Sequence, residues 1–145
     1  MIAIVDASVA IKWFLFFKPE EDHADHAMKI LEEAVSGRLT LCQPPHFVAE
    51  IAAVLARLNS PAALLDLRDL LNIEFQRVES PEIYATATEL AVQFNHHVFD
   101  TLYHAVALHI PDAILITADQ RYYNKARDGG HIVLLKNWSA APDRI

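Results

Sequence analysis

The chain begins with the apolar run Met1-Ile2-Ala3-Ile4-Val5, which ends at Asp6. A second apolar run, Ala113–Thr117, is followed after one residue by Asp119. Each run has the length and composition of a buried strand, and each is followed by a helical pattern. Strands that alternate with helices predict a mainly parallel sheet covered by helices on both faces. The two runs therefore indicate an α/β fold with an aspartate at the carboxyl end of two of its strands.

The spacing of apolar residues, Pro and Gly predicts the remaining elements. Three further strands are expected at residues 39–42, 75–78 and 132–135, which gives a central sheet of about five strands. Helices are expected at residues 8–17, 20–36, 47–58, 60–71, 81–94, 100–109 and 119–127, with little structure after residue 136. The 145 residues lie within the usual size of one domain, so we expect a single domain over 1–145.

Composition limits the class of protein. A hydrophobic fraction of 53% is ample for a packed core and argues against disorder. The single Cys42 excludes an intrachain disulfide and favours a cytoplasmic setting. Asp6 and Lys12 interrupt the N-terminal apolar stretch, so we expect no membrane association. The net charge of −7 argues against nucleic-acid binding unless the acids gather at a metal site, and composition leaves both possibilities open.

Four acids are candidates for such a site: Asp6, Glu50, Asp100 and Asp119. The carboxyl edge of an open α/β sheet is where ligands bind, and Asp6 and Asp119 are both predicted there. Asp100 is predicted to open a helix, and Glu50 lies at the border of an apolar helix face. Taken singly, Asp100 and Asp119 are better explained as helix caps, and Glu50 is better explained as a residue on a solvated helix edge.

The four acids together favour a cation. Two carboxylates about 4 Å apart repel each other by about 4 kcal/mol at an effective dielectric constant near 20. Helix dipoles return only about 0.3–1 kcal/mol per acid. A hard divalent ion such as Mg²⁺, which accepts carboxylate oxygens and retains several waters, would relieve the repulsion.

The acids lie in four short segments: Ile4-Val5-Asp6-Ala7-Ser8, Val48-Ala49-Glu50-Ile51, Phe99-Asp100-Thr101-Leu102-Tyr103 and Leu115-Ile116-Thr117-Ala118-Asp119. This ordered set resembles the motifs of PIN domains, particularly the VapC-like toxins of bacterial toxin–antitoxin pairs. The resemblance implies a PIN-like fold and an Mg²⁺- or Mn²⁺-dependent endoribonuclease that leaves a 5′-phosphate. It further implies that Asp6 and Asp100 are the most direct metal ligands and that Glu50 and Asp119 complete the site, partly through water. Ser8 and Thr117 match hydroxyl positions that support the acids.

The same resemblance implies an RNA substrate, a VapB-like antitoxin as partner, and a homodimer. Two alternatives remain open from the sequence: a non-catalytic PIN-like module that binds protein or RNA, and a phosphatase or DNA nuclease that uses the same acids. The eight histidines are assigned no catalytic role, and His104 is expected to be a packed or surface side chain. Phe16 and Phe17, at the end of the first predicted helix, are candidates for a contact with a partner.

Overall fold

A computed structural model describes residues 1–140 of the chain. The described residues form five parallel strands in the order β3-β2-β1-β4-β5. The strands are β1 (Ile2–Val5), β2 (Thr40–Gln43), β3 (Gln76–Arg77), β4 (Ala113–Thr117) and β5 (Ile132–Leu134). The predicted α/β fold with a parallel central sheet is therefore confirmed.

The centre of the sheet is the pair β1 and β4. Ile4 lies opposite Leu115 and Val5 lies opposite Ile116, and all four side chains are fully buried in the core. This register brings the ends of the two strands side by side. The residues that follow them, Asp6 on one strand and the segment 117–119 on the other, consequently share one edge of the sheet.

Eight α-helices connect and cover the strands within residues 1–140. They are α1 (Ala7–Ala10), α2 (Lys12–Leu15), α3 (Ala24–Val35), α4 (Phe47–Leu58), α5 (Ala63–Asn72), α6 (Pro81–Phe94), α7 (Val98–His109) and α8 (Gln120–Ala126). The α7 helix lies in the core, where residues 101–107 are all buried, and it packs against β1 and β4. None of the helices in the described part of the chain has the length and apolar character needed to cross a membrane.

The predicted helix over residues 8–17 is wrong in its extent. It is divided into α1 and α2 at Ile11, and it ends before Phe16 and Phe17, which are exposed. The helix predicted from residue 20 begins only at Ala24, because His23 adopts a left-handed conformation with φ of 58°. The preceding loop is held by Glu21, whose carboxylate lies 2.9 Å from the Lys12 ammonium.

Two further predictions need correction. The helix that carries Asp100, α7, begins at Val98, so Asp100 lies in its first turn and does not open it. The segment after residue 136 is not structureless: residues 135–137 form a 3₁₀ turn, and Trp138 is buried in the core. Burial of this apolar indole stabilises the end of the described chain. The prediction of little structure after residue 136 also covers residues 141–145, which lie outside the described residues.

Candidate functional site

Asp6 lies directly after β1, and both of its carboxylate oxygens accept hydrogen bonds from hydroxyl groups. Ser8 donates to one oxygen and Thr117 to the other. Burial raises the pKa of Asp6 from its usual 3.8 to about 6, although the two hydroxyl hydrogen bonds lower it. Ionised Asp119 and Asp100 nearby raise it further. This carboxylate therefore has good hydrogen-bond donors and an unfavourable electrostatic environment.

The same two hydroxyl groups connect β1 to the end of β4. The backbone N–H of Ala118 donates to Ser8 Oγ over 2.9 Å, and that of Asp119 donates to Thr117 Oγ1 over 3.0 Å. Each hydroxyl thus accepts one backbone hydrogen bond and donates its single proton to Asp6. The proton positions are fixed by these partners, so the orientation of the Asp6 carboxylate is fixed as well.

Gln43 holds the end of β1 from the other side. Its side-chain amide is fully buried, accepts a hydrogen bond from Val5 N–H over 2.9 Å and donates to Val5 C=O over 2.7 Å. The paired register of β1 with β2 ends at Ala3 and Leu41, so the Gln43 amide takes the place of a backbone partner beyond it. Because Asp6 follows Val5 immediately, this clamp also fixes where Asp6 lies.

Glu50 approaches the same edge from α4. The Tyr103 hydroxyl donates to Glu50 Oε1 over 3.0 Å, and His46 Nε2 lies 3.7 Å from Oε2. His46 Nε2 also lies 2.7 Å from the carbonyl oxygen of Phe99, which can only accept, so this nitrogen carries the proton. Burial raises the pKa of Glu50 from 4.5 to about 7, the Tyr103 hydrogen bond lowers it, and the charges of Asp100 and Asp6 raise it.

Asp100 and Asp119 form the more accessible part of the site. The Asp100 side chain is 42% exposed, and one of its oxygens lies 3.1 Å from His96 Nε2. Asp119 accepts a hydrogen bond from Tyr122 N–H over 3.0 Å and so caps α8. Ligand atoms of His96, Asp100 and Asp119 all lie within 4.8 Å of one another. The cap predicted for Asp119 and its placement beside another carboxylate are therefore compatible.

The four carboxylates act on one another as one electrostatic cluster. Asp100 raises the pKa of both Asp6 and Glu50, Asp6 raises that of Glu50, and Asp119 raises that of Asp6. Two of the four carboxylates, Asp6 and Glu50, lie in surroundings that disfavour their charged form. Clustered carboxylate oxygens are the ligands that suit a hard divalent cation. The described residues thus fit such an ion by their chemistry.

Several contacts at this edge were not predicted from the sequence. Gln43 and His96 each contact an acid or the residue before it, yet neither stands in an acidic motif. Tyr103 stands in the segment of Asp100, but the sequence assigned it no contact with Glu50. Of the two placements expected for His104, packed or at the surface, the structure shows the packed one, with Nδ1 2.9 Å from the Tyr122 hydroxyl and Nε2 2.8 Å from the Gly130 carbonyl. Its two nitrogens are satisfied within the core, which makes it a packing residue.

Comparison with known proteins identifies relatives of this fold. A family model for the PIN domain matches residues 3–128. A structure of VapBC-1 from nontypeable Haemophilus influenzae superposes with a TM-score of 0.65 at 16% identity, covering 94% of this chain and 100% of that chain. PAE2754 from Pyrobaculum aerophilum gives a TM-score of 0.62 at 22% identity, covering 94% of this chain and 90% of that chain. No curated protein matches the chain.

Proposed function

We propose, from the premise that this chain belongs to the PIN domain family, that it is a metal-dependent endoribonuclease and the toxin of a toxin–antitoxin pair. The observation that carries the proposal is the meeting of four carboxylates at one sheet edge: they come from the residue after β1, from α4, from α7 and from the β4–α8 connection. The proposed domain comprises residues 1–145 and acts in the cytoplasm.

The energetics of the acids support a resident cation. Asp6 and Glu50 are both held in surroundings that raise their pKa, so keeping them ionised costs free energy in the folded protein. A fold that needed only a scaffold at this edge would be more stable with neutral amides there. We infer that the acids are kept because Mg²⁺ or Mn²⁺ binds among them.

Each acid has a distinct proposed task. Asp6 and Asp100 would hold the ion directly, while Glu50 and Asp119 would complete the set, partly through water. Ser8 and Thr117 orient Asp6 through their hydroxyl groups. When bound, the ion supplies an activated water and neutralises charge on the phosphoryl oxygens.

The proposed RNA path runs beside the accessible acids. A cavity of about 350 Å³ is lined by Asn95, His96, His97 and Arg121, so it adjoins Asp100 through His96. Arg121 offers a guanidinium for a phosphate group at this position. Phe99, the residue before Asp100, is exposed, with its ring centroid 5.7 Å from that of His46, and offers an aromatic surface to a base.

The proposed partner is a VapB-like antitoxin, and the proposed assembly is a homodimer. The solved structure of VapBC-1 from Haemophilus has a similar fold, which motivates this part of the proposal. Phe16 and Phe17 are exposed after the end of α2 and offer an apolar surface for such a contact.

The deciding experiment is cleavage of a mixed RNA pool by purified, folded protein in Mg²⁺, Mn²⁺ or EDTA. Asp6→Asn and Asp100→Asn should each lower cleavage by at least about 100-fold, because each removes a charge that holds the ion. Asp128→Asn is the matched control, since Asp128 is fully exposed and its neighbour is Arg127, 3.9 Å away. This variant should cut RNA like the wild type.

Other outcomes would redirect the assignment. Cleavage of a DNA pool in place of RNA would assign a DNA nuclease. Full activity in the Asp100→Asn protein would refute the carboxylate mechanism. Absence of Mn²⁺ binding at millimolar concentration, together with absence of cleavage, would favour a non-catalytic binding module.

A further inference from the structure

His96 connects an acid of the site to a lysine outside it. The residue lies between α6 and α7, and its side chain is only 9% exposed. Nε2 lies 3.1 Å from Asp100 Oδ2, and Nδ1 lies 3.2 Å from the Lys125 ammonium. Lys125 comes from α8 and also donates to the carbonyl oxygen of Asn95 over 3.4 Å.

The lysine fixes which ring nitrogen carries the proton. An ammonium group only donates hydrogen bonds, so Nδ1 of His96 must accept from Lys125. A neutral imidazole has one donor and one acceptor, and the proton is therefore on Nε2. The Nε2–H group then lies 3.1 Å from Asp100 Oδ2 and is within reach to donate to it. Both contacts are satisfied by one tautomer.

This tautomer decides between two roles for His96. Its ligand atom lies within 4.8 Å of those of Asp100 and Asp119, so the three residues resemble a mixed nitrogen and oxygen ion site. Metal binding through Nε2 requires a lone pair there, which would move the ring proton to Nδ1. That proton would then point at the Lys125 ammonium. The lysine therefore disfavours His96 as a ligand.

We propose that His96 is a positioning residue, which donates from Nε2 to Asp100 Oδ2 and leaves Oδ1 to the cation, with Lys125 selecting the required tautomer. This rests on the proposed function, because it concerns the same divalent ion. A carboxylate that is already oriented loses less conformational freedom when the ion binds. Removal of such a supporting partner typically weakens metal binding by about 10–100-fold.

The test is Mn²⁺ binding, measured by calorimetry on the intact chain, with variants at His96 and at a control histidine. His96→Ala should weaken binding by about 10-fold or more, while His96→Gln should restore most of it because its amide can still donate to Asp100. His109→Ala is the control, since His109 is exposed at the opposite end of α7 from Asp100, and it should bind Mn²⁺ like the wild type.

Two spectroscopic measurements separate positioning from ligation. Electron spin-echo spectra of the Mn²⁺ complex should show the same directly bound nitrogens, if any, in the wild type and in His96→Ala. In metal-free protein at pH 8, ¹⁵N NMR should place the His96 proton on Nε2, and Lys125→Met should give a mixture of tautomers.

Each contrary result has a separate meaning. A Mn²⁺-bound nitrogen contributed by His96 overturns the positioning role and makes His96 a ligand. Tight Mn²⁺ binding that is unchanged in His96→Ala overturns this inference and leaves the proposed function standing. A wild-type protein that binds no Mn²⁺ overturns both.

Discussion

The four acids fall into two pairs with different surroundings. Asp6 and Glu50 form an inner pair whose pKa values are raised by burial to about 6 and about 7. Asp100 and Asp119 form an outer pair that is partly exposed and is held by a His96 contact and by a backbone N–H, respectively. The inner pair bears the electrostatic cost of the site, and the outer pair provides its accessible side.

This difference indicates how one site combines order with access. Donors from Ser8, Thr117 and Tyr103 fix the inner carboxylates in place before any ion arrives. Preorganised charge of this kind is effective because no reorganisation is needed during the reaction. The cost is lower stability of the metal-free protein, and that cost should be measurable.

The largest expected effect on stability is at the inner pair. In EDTA at pH 8, Asp6→Asn should raise the free energy of unfolding by on the order of 2 kcal/mol, because it removes a charge from surroundings that disfavour it. Asp100→Asn should change it by less than about 1 kcal/mol, since that side chain is 42% exposed. Urea denaturation of both variants checks the contrast. Destabilisation by Asp6→Asn would show that its hydroxyl contacts outweigh its burial.

The second prediction concerns pH. Between the usual pKa values of the inner acids, 3.8 and 4.5, and their folded values of about 6 and about 7, the folded protein binds more protons than the unfolded chain. Stability from these groups therefore falls as pH rises from about 4 to about 7. Subtracting the curve of the double variant Asp6→Asn, Glu50→Gln removes contributions from other groups.

Adding Mn²⁺ should oppose this fall. A ligand that binds only the folded protein stabilises it by about 2.7 kcal/mol at 100 times its dissociation constant. The difference curve should consequently flatten in Mn²⁺ above pH 6. A difference curve that rises with pH in EDTA would contradict the inner-pair argument.

The sequence was sufficient for the framework of this site. Two apolar runs followed by aspartates predicted two strand ends at the ligand-binding edge of the sheet, since the length and composition of such runs indicate buried strands. The parallel register of β1 and β4 then brings Asp6 and Asp119 to one edge. Glu50 was placed at the rim of an apolar helix face by the same reasoning, and it is half-buried there.

The remainder depends on tertiary contacts that leave no local pattern. Lys125 contacts His96 only because α8 packs beside the connection between α6 and α7, 29 residues away in sequence. Gln43 contacts Val5, 38 residues away in sequence, only because β2 pairs with β1. Asp112, before β4, adopts a φ of 62°, in the left-handed region that favours glycine. Aspartate tolerates this conformation better than most residues.

The smallest expected effect on cleavage separates two buried tyrosine hydroxyls. Tyr103 donates to Glu50, whereas the Tyr122 hydroxyl contacts His104. Tyr103→Phe removes a hydrogen bond that lowers the pKa of Glu50, so that pKa should rise further. An ionised Glu50 in the working site makes the rate of RNA cleavage in Mn²⁺ increase with pH as Glu50 loses its proton. In Tyr103→Phe this increase should occur at higher pH, with a few-fold loss of rate at pH 7.

Tyr122→Phe makes the same chemical change beside a histidine of the core. It leaves His104 Nδ1 without its partner and should lower the free energy of unfolding by about 1–3 kcal/mol while the pH profile of cleavage stays in place. Equal pH profiles in the two variants would mean that Glu50 does not need its charge, and the inner pair would then reduce to Asp6 alone. A shift of the pH profile in Tyr103→Phe alone would instead show that the ionisation of Glu50 controls cleavage.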